Sequence, residues 1–167
     1  MSTVAIVMGS KSDLETIRGA FDVLKEFQVD FTARVLSAHR TPVEAAEFAA
    51  GAENAGIKVI ICAAGMAAHL GGVIAAHTTL PVIGIPIPSA PFGAADSTLA
   101  MLQMPPGIPV ATVTAGKAGG KNAALLAVEM LALGDPRLAA ALKDFRRRQR
   151  EAVLAADREV RQQITEL

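Results

Sequence analysis

The sequence predicts an α/β fold: one open, parallel, three-layer sheet of five strands with helices on both faces, followed by a long C-terminal helix. Three observations carry this. Short β-rich runs alternate with longer segments of helical periodicity along most of the chain. The first of these runs, TVAIVM, is continuously apolar, as expected where both faces of a parallel sheet are covered. At 167 residues the chain is long enough for one domain with a sizeable core.

Thr3–Met8 (TVAIVM) is the first strand, and Ile17, Phe21, Leu24 and Phe27 mark the buried face of the helix after it. Asp30–Leu36 (DFTARVL) gives the second strand, followed by a helix over Pro42–Gly56 that ends on a glycine. Lys58–Ala64 (KVIICAA) is the third strand, with the small-residue segment Ala67–His77 after it. Pro81–Ile87 (PVIGIPI) and Ile108–Ala115 (IPVATVTA) are the fourth and fifth, and Asn122–Leu133 forms the next helix. Residues 1–134 thus read as an α/β core and 135–167 as a helical extension of the same domain. The extension carries a narrow stripe of Leu138, Leu142, Phe145, Val153, Val160 and Ile164, suited to packing on a neighbour. Right-handed crossovers favour the flavodoxin-like strand order 2-1-3-4-5.

Composition narrows the function classes. Hydrophobic residues make up 51% and charged residues 19%, apolar for so small a chain, which predicts that copies of the protein cover part of its surface. Formal net charge is zero, so no global field favours nucleic acid or an anionic membrane. Gly, Pro and His interrupt the apolar runs before they reach the roughly 20 residues of a spanning helix. The single cysteine, Cys62, excludes an internal disulfide and fits a reducing compartment. The N-terminus lacks a basic n-region and reads as mature sequence, giving a cytoplasmic expectation. The run Arg146–Arg148 has acidic neighbours and reads as a solvated helix face.

In open α/β sheets ligands bind beyond the carboxyl ends of the strands, at the switch point between strands 1 and 3. That rule gathers Gly9–Asp13 (GSKSD), Ser37–Pro42 (SAHRTP) and Ala64–Gly72 (AGMAAHLGG) at one edge. Ser12 or Asp13 can simply cap the next helix, or the same turn can present a helix N-terminus to a phosphate. Pro42 sits in the first turn of a helix with Thr41 as its cap, which leaves His39 and Arg40 in the loop before it. Arg suits bidentate phosphate recognition, and His both gives and takes protons near neutral pH. His69 lies among small residues that permit close approach of a ligand to the backbone. A metal pair of His69 and His77 lacks a third ligand and is rejected; His77 reads as structural. Gly116–Ala124 (GKAGGKNAA) lacks the spacing of a nucleotide-triphosphate loop.

Taken in order, VAIVMGSKSD, VLSAHRTP, AAHLGG, PVIGIPI, DSTLAMLQMPPGIPVATV and GKAGGKNAALLA resemble the class I N5-carboxyaminoimidazole ribonucleotide mutases of purine biosynthesis, from about Val4 to Leu133. The resemblance implies a flavodoxin-like homo-octamer that needs neither metal nor ATP and has no cofactor. It implies transfer of a carboxylate from the exocyclic nitrogen to carbon 4 of aminoimidazole ribonucleotide, through CO2 trapped in the site. His39 matches the family's general acid/base. Ser10, Asp13, Ser37 and Arg40 match substrate-binding positions, as do Gly65 and His69 beside the base and CO2. Asp96 and Ser97 also match. Ala63, Met66 and Ala94 stand where glycine is usual, and Gly71 where proline is. Two alternatives remain at this stage: a carboxylase that uses CO2 directly, and a non-catalytic phosphoribosyl-binding module.

Overall fold

The computed structural model describes residues 3–165. Five strands, β1 (Val4–Met8), β2 (Phe31–Val35), β3 (Val59–Gly65), β4 (Val82–Ile87) and β5 (Ala111–Thr112), form one parallel sheet in the order β2-β1-β3-β4-β5. The central strands β1 and β4 are buried along their whole length, which accounts for their unbroken apolar sequence. β5 is far shorter than the run Ile108–Ala115 suggests. It pairs with β4 only through Ile83–Ala111 and Gly84–Thr112, as an edge strand with one neighbour.

Helices α1 (Leu14–Glu26), α2 (Pro42–Gly51), α3 (Leu70–Ala76), α4 (Ala95–Leu102) and α5 (Gly116–Ala132) follow the five strands in turn. Successive strand residues point to opposite faces. Ala5, Val7, Ile60, Cys62 and Ala64 meet Ala45 and Ala49 of α2, Leu70 and Ile74 of α3, and Met101 of α4. On the other face, Gly119 of α5 sits against Ile85, and Gly120 sits so close to the Ile17 backbone that a side chain there would crowd α1. Gly119 and Gly120 of GKAGGKNAA therefore serve the packing of α5.

α2 stops at Gly51, short of the expected Gly56; Gly56, at φ 85, makes the turn into β3 instead. No sequence signal marks α4. Its short run begins without a side-chain cap at Ala94 and buries only Ser97 and Met101, so neither a start signal nor an apolar stripe marks it.

The chain contacts divide into a compact unit ending at Met130 and a second from Leu131. The second unit holds α6 (Pro136–Thr165), whose start is capped by Asp135: Oδ1 accepts from the N–H groups of Arg137 and Leu138 at 2.9 and 3.3 Å. Along α6, Arg147 pairs with Asp144 and Glu151, and Arg148 with Asp144. The arginine run is thus engaged within its own helix, as a solvated face should be. No helix among the described residues is long and apolar enough to cross a membrane.

Candidate active site

The loops after β1, β2, β3 and β4 enclose a cleft of ≈ 560 Å³ at the carboxyl edge of the sheet. All seven predicted site residues, Ser10, Asp13, Ser37, His39, Arg40, Gly65 and His69, line it. The cleft wall is built mainly by hydrogen bonds among these residues and their neighbours.

After β1, Ser10 and Asp13 form a capping box around the short 3-10 turn Lys11–Asp13. The Ser10 hydroxyl accepts from the Ser12 N–H at 3.3 Å, and Asp13 Oδ2 accepts from the Ser10 N–H at 3.0 Å. The cap is therefore Ser10; neither Ser12 nor Asp13 caps α1, because Asp13 already has helical dihedrals and its carboxylate reaches back to Ser10. Only 8% of Asp13 is exposed. Burial pushes its carboxyl above the usual range, against the opposing pull of the Ser10 N–H, the Ser12 hydroxyl and the Arg40 charge.

After β2, Thr41 precedes α2 with Pro42 in the first turn, as expected, yet its hydroxyl does not cap the helix. It accepts from the Ser37 N–H at 2.8 Å and donates to the Ser37 carbonyl at 3.2 Å. Thr41 thereby ties off the loop that carries His39 and Arg40. Ser37 Oγ accepts from the backbone N–H groups of His39 and Arg40 at 3.4 and 3.2 Å. Ser37 thus shapes the same loop from inside. Arg40 turns towards β1 and donates from Nη2 to the Gly9 carbonyl at 2.7 Å. That bond fixes the guanidinium beside the capping box and leaves further N–H donors for a ligand.

After β3, His69 stands just before α3. Its Nδ1 lies 2.9 Å from Nε2 of His39, with ring centroids 5.0 Å apart and an edge-on angle of 77°. A contact this short holds one proton between the two nitrogens: one ring donates and the other accepts. Two fully protonated rings would set two N–H groups against each other. Gly65 ends β3 where a Cβ would lie 3.0 Å from the Ile87 carbonyl of β4, so its small size keeps the two strand ends together.

Among the departures from the family pattern, only Met66 lines the cleft. Its φ of 55° is a left-handed conformation that glycine adopts freely, which accounts for the usual glycine, and its side chain is 64% exposed. Ala63 is buried within β3, and Ala94 has φ −116°, which any residue adopts. Gly71 lies in the first turn of α3, where proline is also at ease. Ser97 is buried and supports the end of β4 by donating to the Ile87 carbonyl at 3.2 Å, while Asp96 accepts from the Ser97 N–H at 2.8 Å; neither lines the cleft.

His77 terminates α3 at the opposite edge of the sheet, with Nδ1 donating to the Val73 carbonyl at 2.8 Å. The seven residues of α3, about 10 Å of helix, separate it from His69, so the two cannot share an ion. No group of three or more His, Cys, Asp or Glu suited to a metal ion occurs among the described residues. Sequence reasoning missed Ser89, which lines the cleft after β4; a serine following a proline in a loop carries no distinguishing signal.

Fold and cleft together define a flavodoxin-like α/β protein with a small-molecule site at its topological switch point. Residues 3–152 match the family model described as AIR carboxylase, and the chain belongs to that family. It is 51% identical over 155 residues to the N5-carboxyaminoimidazole ribonucleotide mutase of Saccharolobus solfataricus, covering 93% of this chain and 97% of the relative. It is 50% identical over 151 residues to the protein of the same name from Escherichia coli, covering 90% and 89% of the two chains. The crystal structure of Treponema denticola PurE superposes with a TM-score of 0.83 at 30% identity, covering 93% of this chain and 96% of that one.

Proposed function

We propose that the chain converts N5-carboxyaminoimidazole ribonucleotide to 4-carboxy-5-aminoimidazole ribonucleotide, as a mutase of de novo purine biosynthesis. The observation that carries this reading is identity of about half, over nine-tenths of the chain, to proteins bearing that activity in their name. The cleft supplies matching chemistry: a cation at Arg40, acceptors at Asp13, and a paired His39.

Arg40 and Ser37, with Ser10, hold the phosphate. Asp13 accepts from the ribose hydroxyls, since a second anion beside the phosphate would repel it. The imidazole then faces His39, Gly65 and His69. The bond from the exocyclic nitrogen to the carboxylate carbon breaks, its electron pair returns to nitrogen, and His39 gives that nitrogen a proton. Carbon 4 attacks the released CO2, held in the cleft, and its proton passes to His39. The histidine ends in its starting state, so no net proton is consumed. His69 is a positioning residue: its contact with Nε2 orients the His39 ring.

Assembly as a homo-octamer fits the exposed apolar side chains of Phe92 (69%) and Leu102 (60%), and the cytoplasm fits the lone reduced Cys62. Residues 135–167 are read as an extension of one mutase domain. The test supplies aminoimidazole ribonucleotide with bicarbonate at modest concentration, without the ATP-dependent carboxylation that precedes this step, and in parallel the N5-carboxylated nucleotide. Rapid product only from the carboxylated nucleotide is expected. Efficient turnover from bicarbonate would instead make the chain a direct carboxylase.

A further inference from the structure

These roles leave the polar residue Ser89 unused. Ser89 follows Pro88 at the carboxyl end of β4 and lines the cleft. Its Oγ is buried with no hydrogen-bond partner, the one buried side-chain N or O of which this is true among the described residues. Buried hydroxyls are almost always paired, because an unpaired one has given up water for nothing. The loop is not slack enough to explain the vacancy. The Ser89 N–H donates to the Gly93 carbonyl at 2.5 Å, closing the turn from the far side. The preceding Ile87 carbonyl is held by the buried Ser97 hydroxyl at 3.2 Å. The backbone around Ser89 is thus anchored, while its hydroxyl has no partner within the protein.

Its position suggests what it meets. Arg40 stands after β2 and Asp13 after β1, while Ser89 stands after β4, on the other side of β3. With strands about 4.8 Å apart, β4 lies roughly 10 Å from β1 across the sheet. A nucleotide whose phosphate sits at Arg40 therefore brings its other end towards Ser89. The neighbouring walls, Gly65, Met66, Ile87 and Pro88, bring no charge, and a hydroxyl in such surroundings bonds most strongly to an anionic acceptor.

We propose that Ser89 Oγ donates a hydrogen bond to the carboxylate of the carboxylated nucleotide and so separates it from the decarboxylated one. This rests on the mutase reading above. The test measures Ser89→Ala against the parent protein by calorimetry, with 4-carboxy-5-aminoimidazole ribonucleotide and with aminoimidazole ribonucleotide, alongside thermal melting. The carboxylated nucleotide should bind about tenfold more weakly to the variant, the decarboxylated one within about twofold, and Tm should not fall, because no bond within the protein is lost. Equal losses for both ligands, no loss for either, or a lowered Tm would each overturn the proposal. If the parent protein itself bound neither nucleotide, the mutase reading would fail instead.

Discussion

Two clefts lie at opposite edges of the same sheet, and the larger is the less equipped. The one at the amino edge encloses ≈ 970 Å³, beside the starts of β4 and β5. Its walls are mostly alanine, proline and other apolar side chains with Glu53, Thr78 and Thr79, and its one histidine, His77, is engaged by its own helix through the Val73 carbonyl. The carboxyl-edge cleft, at ≈ 560 Å³, brings together two histidines in hydrogen-bonding contact, an arginine and a buried carboxylate. The difference teaches that volume alone does not make a site. Converging polar groups held by their neighbours do, and strand direction decides which edge collects them.

Four variants test that contrast, in order of expected effect. His39→Asn should lower kcat at least ~100-fold, the usual minimum for loss of a positioned general acid/base, with an unchanged thermal melt. Undiminished conversion by a folded variant would remove His39 from the chemistry. Arg40→Ala should weaken nucleotide binding by more than about 1.5 kcal/mol, the order of a charge-assisted contact, read by calorimetry. Equal affinity would place the phosphate elsewhere.

The third effect is smaller and depends on pH. Burial raises the Asp13 carboxyl on folding. A carboxyl raised in this way contributes stability that is full below its unfolded pKa, about 3.9, and lost as pH rises through the folded value. Asp13→Asn keeps a carbonyl able to accept from the Ser10 N–H and never ionises. The stability of the variant relative to the parent should therefore grow as pH rises from about 3 towards neutrality, followed by urea unfolding. A difference independent of pH would contradict the burial argument. The smallest effect belongs to the other edge: His77→Ala should leave kcat/KM within about twofold, since it changes no group of the carboxyl-edge cleft. A large loss there would break the contrast between the clefts.

The central strands were legible because they are covered on both faces, so the apolar runs at Val4–Met8 and Val82–Ile87 could be read directly, whereas β2 and β5 lie at the exposed edges. The sheet order and the gathering of His39, Arg40 and His69 followed from chain handedness and the switch-point rule. Local hydrogen bonding was less legible, because a short polar side chain has several backbone partners within reach. Thr41 turns to Ser37 instead of capping α2, and Ser10, not Ser12 or Asp13, takes the cap before α1. The contact between His39 and His69 joins residues 30 positions apart, and no spacing rule announces it.

A crystal structure with 4-carboxy-5-aminoimidazole ribonucleotide bound tests the central claim most directly. The account predicts the phosphate beside Arg40 and Ser37 and the imidazole against His39. The nucleotide seated beside His77, or bound at the carboxyl edge with His39 out of reach of its ring, would contradict it.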